Sequence, residues 1–178
     1  IRLNEPVREF VFEGKKVVGA RTDEQTYSAD RFVMNVDFAT GMKGLIPDEL
    51  RKKWSNKKLD EKSYSCSTYM LYLGIDKLYD TPHHQIYAAK DYQKNLREVT
   101  QNKVTWDDPS VYVQNACVTD STMAPEGHST IYVLVPVSNS HDGIDWEEIK
   151  HDYMDVILRQ MENLGFTDLK RHCLLYTS

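Results

Sequence analysis

Short apolar runs and polar punctuation alternate along the chain, and the texture of that alternation changes partway. In the amino-terminal part, residues 7–12 and Lys16–Arg21 are strand-like and flank Glu13-Gly14, which predicts a β-hairpin. Residues 31–35 form a third apolar run, and Asp37 is placed to cap the exposed N–H groups of a short helix. Residues 45–63 are polar and Lys-rich, with a helix-forming stretch at 47–54, and read as a surface connection between two subdomains.

Beyond that connection, residues 64–75 form a long run of β-branched, aromatic and small side chains, with similar runs at 85–89, 111–116 and 130–137. Four such runs separated by long connections predict one sheet. The last is apolar without alternation, which predicts cover on both faces, and Pro136 sits near its end, where a missing ladder donor does least harm. Two helices complete the pattern. One spans 91–101 with Asp91 as its cap. The other spans 145–164, where Ile149, Tyr153, Val156, Ile157 and Leu164 recur at helical spacing and Gly165 supplies the stop, so that an apolar stripe would lie across the sheet.

Composition narrows the function classes. The chain has 178 residues, 40% hydrophobic and 28% charged, with a formal net charge of −5, the values of a globular protein of one domain or a slice across two. Binding of nucleic acid or anionic lipid by charge alone needs clustered Lys and Arg, and the nearest such run, residues 51–58, reads as a solvated helix face. No apolar run reaches the ~18 residues of a membrane-spanning helix, and no signal-peptide pattern is present. Three widely spaced cysteines, Cys66, Cys117 and Cys173, fit neither a disulfide framework nor a CxxC metal site and are expected to be reduced, buried thiols of a cytoplasmic protein. Ile1 enters the middle of a strand pattern, so the chain is expected to be a piece of a longer protein.

Few residues suggest chemistry by spacing alone. His83 and His84 invite a metal, but neighbours on a strand point to opposite faces and would not share one, so no metal site is expected. Asp120 and Glu126 flank a turn-rich segment and are either an acid–base pair or ordinary turn residues. His128 lies next to Ser129, yet no GxSxG elbow is present to support hydrolysis. Tyr64, Tyr69, Tyr72, Tyr87, Tyr112 and Tyr132 lie on predicted strands, either as packing or as a wall for a long apolar ligand.

The stretch DDPSVYVQNACVTDSTMAPEGHSTIYVLVPV, residues 107–137, resembles the phytoene desaturases, flavin-dependent enzymes that dehydrogenate carotenoid precursors. Other segments match that family in order. ADRFVMNVDFA at 29–39 is similar to its "AD.VV.NADFA" element, and residues 64–73 to its strand ending in "MLYLG". HHQIY at 83–87 followed by Asp91-Tyr92 resembles "HH.IYFA.DY", and Gly143-Ile144-Asp145-Trp146 matches as well.

The resemblance implies an α/β or α+β fold: part of a Rossmann-type flavin domain at residues 1–44, then a substrate domain at 45–178 with a mixed or antiparallel sheet covered by helices. It implies FAD as cofactor, with Val7 near the adenine through its backbone, although neither the GxGxxG loop nor the second glycine-rich flavin segment of the family is in this sequence. It implies flavin-dependent desaturation of phytoene or diapophytoene. The alternatives are a carotenoid isomerase, a carotenoid oxygenase or a retinol saturase, or, for this piece in isolation, an inactive module that binds apolar ligands. A positive charge developing on an allylic carbon would be stabilised by a carboxylate or an aromatic face, which singles out Asp120 and Tyr112 as candidate catalytic residues. The implied partners are a polyene lipid and a membrane surface touched peripherally from the cytoplasm, with no nucleic acid. Cys173 to Ser178 depart from the family pattern and are expected to be a truncation scar or a cloning or sequencing residue.

Overall fold

The computed structural model describes residues 1–139 and 143–177 and contains two compact units, Ile1–Ser63 and Tyr64–Ser178. In the first, β1 (Glu9–Glu13), β2 (Lys16–Arg21) and β3 (Thr26–Ser28) form an antiparallel meander. Gly14, at φ 63°, makes the tight turn between β1 and β2, a conformation that costs glycine little. Helix α1 (Phe38–Leu45) begins as expected at Asp37, whose carboxylate accepts from the Thr40 amide at 2.8 Å.

The expected third strand is displaced. Pairing runs through β3, with Ala20 opposite Tyr27, while residues 31–35 are not a strand. Met34 and Val36 instead press on α1 at Gly41, where an added Cβ would come within 2.7 Å of Val36 Cγ1 and 2.9 Å of Met34 Sδ. The segment after α1 belongs to this unit. Lys43 pairs with Asp60 of α2 (Asn56–Asp60), and the Phe38 and Trp54 rings meet edge-on at 5.2 Å. Compactness divides the chain after Ser63. Within 47–54 only one 3-10 turn forms, Asp48–Leu50. Arg51 is not on a solvated face: it is buried, with its guanidinium on Asp48, Asn56 and the Trp54 carbonyl.

The second unit is a five-stranded antiparallel sheet, ordered β5 (His84–Tyr87), β6 (Val111–Asn115), β7 (Ser129–Val137), β4 (Ser67–Ile75), β8 (Cys173–Thr177). β4 and β7 pair along nine residues each, from Ser67 opposite Val137 to Ile75 opposite Ser129. Helix α3 (Tyr92–Thr100) starts at Asp91, whose side chain accepts from the Lys94 amide, and α4 (Trp146–Glu162) starts at Asp145, which accepts from the amides of Glu147 and Glu148. The latter ends before Gly165, at φ 90°. Tyr153, Ile157 and Met161, at i, i+4 and i+8, are buried with Phe166 on Leu71, Leu73, Val113, Ile131, Val133 and Val135 of the sheet. Asp108 braces this layer by accepting from Tyr87 Oη at 2.8 Å, the Lys90 amide at 2.6 Å and Gln160 Nε2 at 2.5 Å.

Three expectations are corrected here. Burial along β7 alternates strictly, with Ile131, Val133 and Val135 buried and Thr130, Tyr132, Leu134 and Pro136 half-buried, so the strand is not covered on both faces. The cysteines are not all buried: Cys66 is exposed, and Cys117 and Cys173 are half-buried. The carboxyl-terminal segment, expected to be extraneous, pairs with the sheet through residue 177, Leu175 opposite Gly74; Ser178 lies outside the described residues. A short helix, α5 (Leu169–His172), precedes it.

Truncating Ile157 to Ala removes a fully buried side chain between helix and sheet and is expected to cost about 2–5 kcal/mol. Ile86→Ala, at a site 77% exposed, is expected to change stability by under about 0.5 kcal/mol. Urea unfolding of the two variants beside the parent chain measures the contrast.

Candidate functional site

Because opposite residues of an antiparallel sheet share a face, the register assembles the second face row by row. One row crosses four strands as His84, Gln114, Tyr132 and Tyr72; the next crosses them as Ile86, Tyr112, Leu134 and Met70. Tyr72 is 50% exposed, and its neighbours on these rows are half-buried or exposed. Five rings run in sequence over this face. Tyr72 meets Tyr132 at 5.3 Å, Tyr132 meets Tyr112 at 6.0 Å, Tyr112 stacks on His84 at 6.0 Å, and His84 lies 4.2 Å from His83.

Polar atoms of three of these rings, Tyr112, His84 and His83, find lateral partners. Tyr112 Oη and His84 Nδ1 are 2.8 Å apart, His83 Nδ1 and Thr119 Oγ1 are 2.6 Å apart, and His83 Nε2 lies 3.1 Å from Gln114 Nε2. The expectation that His83 and His84 point apart is therefore corrected. The strand begins only at His84, and His83, whose carbonyl still accepts from the Asn115 amide, is free to turn its ring alongside its neighbour's. Among the described residues, no group of three or more His, Cys, Asp or Glu is arranged to hold a metal. Desolvation, with the hydroxyls of Tyr72 and Tyr112 nearby, raises the Tyr132 pKa, so this part of the face is a neutral surface at ordinary pH.

Asp120 lies off the strands, in the connection from β6 to β7. Two 3-10 turns, Ala116–Val118 and Ser121–Met123, fold this connection over one end of the face, where Thr130 donates its hydroxyl to the Met123 carbonyl at 3.1 Å and its amide to Cys117 Sγ at 3.3 Å. The Asp120 carboxylate accepts from the hydroxyl of Thr122 at 2.6 Å and from its amide at 3.0 Å, and these bonds hold its pKa below the usual value. The group is exposed and ionised near neutral pH, an acceptor rather than a proton donor. Glu126, its suggested partner, lies in the following turn, which His128 closes by donating its amide to the Pro125 carbonyl. Ser129 is buried and donates to the Lys77 carbonyl, a structural role.

The other candidates separate. Tyr69 and Tyr87 face the helix layer, with their hydroxyls on the Lys150 carbonyl and Asp108, while Tyr64 precedes β4. Val7 belongs to the first unit, just ahead of β1, and is 43% exposed, with the next residue's amide on the Arg21 carbonyl. Reasoning from spacing weighed His83 and His84 only as metal ligands and overlooked Gln114 and Thr119, which lie beside His83.

The chain has a sheet with a helix layer on one face and aromatic rows on the other. It matches an oxidoreductase from Methanosarcina mazei with a TM-score of 0.52 at 13% identity, over 97% of this chain and 36% of that one. No family model matches the chain. It is 39% identical over 174 residues to a 4,4'-diapophytoene desaturase (4,4'-diapolycopene-forming) of a Methylomonas species, which takes in 97% of this chain and 34% of the relative. It is 35% identical to an all-trans-zeta-carotene desaturase of Myxococcus xanthus over 96% of this chain and 33% of that protein. A 4,4'-diapolycopen-4-al dehydrogenase of Metabacillus indicus matches at 33%, again over 96% and 33%. Over nearly its whole length the chain belongs to the phytoene desaturase family, and it spans about a third of the length of the relatives it matches.

The Asp120 carboxylate is expected to titrate below the ordinary aspartate range, and Thr122→Val, which removes the hydroxyl donor, to move it upward. The sign follows from the depressed folded value: the favourable contribution is present above the unfolded pKa and is lost as pH falls through the folded one. Carboxylate carbon shifts followed by NMR from pH 2 to 7 (roughly the range spanning carboxylate titration) measure it.

Proposed function

We propose that the protein to which this chain belongs desaturates a linear polyene of the carotenoid-precursor class, and that this chain supplies one wall of the cleft that holds the substrate. The observation that carries the reading is the second face of the sheet, where Ile86, Tyr112, Leu134 and Met70 form an apolar row beside an aromatic one in a chain whose relatives are named for polyene desaturation. A core strand needs apolar residues on one face only, so Tyr132, Leu134 and Tyr72 on the other are explained by an apolar ligand. Desaturation removes two hydrogens from adjacent carbons, one as hydride and one as proton. On this reading Tyr112 holds the substrate and offers its ring to developing positive charge, and the ionised Asp120 in the β6–β7 connection acts at longer range.

Flavin would supply the hydride acceptor. The described residues fit it only in part. Val7 offers an exposed position just ahead of β1, whereas Gly14 lies in the β1–β2 turn, Gly19 within β2, and Gly41 and Gly44 inside α1, so none of these glycines makes a strand-to-helix turn able to cradle a diphosphate. No step through the flavin is derived from these residues. Association with a membrane surface from the cytoplasm fits a lipid substrate; among the described residues no helix is long and apolar enough to cross a membrane.

Expression of the whole reading frame with FAD, supplied with diapophytoene or phytoene, is expected to produce the visible absorption bands of a lengthening conjugated system. A flavin-loaded protein that leaves both colourless would overturn the reading in favour of isomerisation or saturation. In the active protein, Ile86→Asn is expected to raise KM about tenfold, the effect of losing one apolar side chain from a binding wall, with the unfolding midpoint unchanged.

A further inference from the structure

The hydroxyl of a tyrosine on an apolar wall needs a partner, and a ring with a free hydroxyl can rotate about two side-chain bonds. The Tyr112 hydroxyl is met by His84 Nδ1 at 2.8 Å, with the two rings inclined by 23°. His84 is exposed and would be a loose tether by itself. It is backed by the His83 ring at 4.2 Å, and His83 is fixed at both of its nitrogens, by Thr119 Oγ1 at 2.6 Å and Gln114 Nε2 at 3.1 Å. Thr119 immediately precedes Asp120. The histidine pair thus joins the two residues singled out for chemistry, the ring on the sheet and the carboxylate-bearing loop at its end.

We propose that His84, backed by His83, is a positioning residue that sets the orientation of the Tyr112 ring on the polyene wall and registers it to the Asp120 loop. This rests on the desaturase reading above. A purely structural pair would be indifferent to which atom stands at the Nδ1 position. A positioning pair is not, because Tyr112 is oriented through that atom.

The test uses the full reading frame with FAD and diapophytoene, and compares His84→Leu, His84→Asn, Tyr112→Phe and the double variant His84→Leu/Tyr112→Phe. His84→Leu and Tyr112→Phe are each expected to lower kcat/KM about three- to tenfold, the effect of one hydrogen bond. The double variant is expected to lose no more than either, since both remove the same contact. Asn presents a hydrogen-bonding atom near the Nδ1 position and is expected to restore most of the activity.

Ring-labelled tyrosine gives a second readout that does not depend on turnover. The Tyr112 ring carbons are expected to shift in His84→Leu and to return toward the parent values in His84→Asn. Losses that multiply in the double variant, no rescue by Asn, or Tyr112 resonances unmoved by His84→Leu would each overturn the proposal. An inactive parent protein would overturn the desaturase reading, and the ring resonances would then still decide whether His84 positions Tyr112.

Discussion

The rest of the second unit depends on the two-residue period of β7. Its nine residues all pair with β4 and four of them, Ile131 to Leu134, also pair with β6, so each side chain is committed to one face by its parity. Odd positions from Ile131 to Val135 go under α4 and make the core; even positions from Thr130 to Pro136 go to the other face. A helix can cover one face only, so an apolar residue at an even position is not explained by the core. A slip of one residue in register would put Tyr132 and Leu134 under the helix and destroy both surfaces together. The same pairing that stabilises the unit therefore assembles its candidate site.

Most elements were legible because their signals are local. Asp37, Asp91 and Asp145 announce three helices through their side-chain bonds to the following amides, and Glu13-Gly14 announces the hairpin. The failures are non-local. Residues 31–35 have the composition of a strand, but the short turn at Thr22 to Gln25 lets Thr26–Ser28 reach β2 first, and Met34 and Val36 are taken up by the close approach at Gly41. The run at 130–137 is apolar at every position for two separate reasons, core and wall, and a pattern read along the chain cannot divide them. Burial of Arg51 depends on Asp48, Asn56 and the Trp54 carbonyl closing around it, which a count of basic residues does not register.

The site was legible to a similar degree. Tyr112 stands out because a tyrosine between two valines on a strand faces away from the core they enter. Asp120 was visible only as part of a turn-rich segment, and its carboxylate is indeed occupied in making that turn. The histidines were judged by strand parity, which does not reach His83 because it lies just ahead of the strand and outside its paired register.

An apolar ligand surface built from tyrosines has to dispose of their hydroxyls without turning the rings edge-on into the ligand's path. Across an antiparallel sheet the neighbours available for this are lateral, one strand spacing of about 4.8 Å away. His84 on β5 is therefore within reach of Tyr112 on β6, whereas the side chains next to Tyr112 in sequence, Val111 and Val113, point to the opposite face. Placing the partner on the edge strand has a further consequence. The Tyr112 hydroxyl is taken up laterally, toward the margin of the sheet, and ring contacts continue on its other side through Tyr132 to Tyr72 in edge-to-face pairs at 6.0 and 5.3 Å. A surface that is chemically polar at its margins is in this way made apolar along its length, as binding a long hydrocarbon requires.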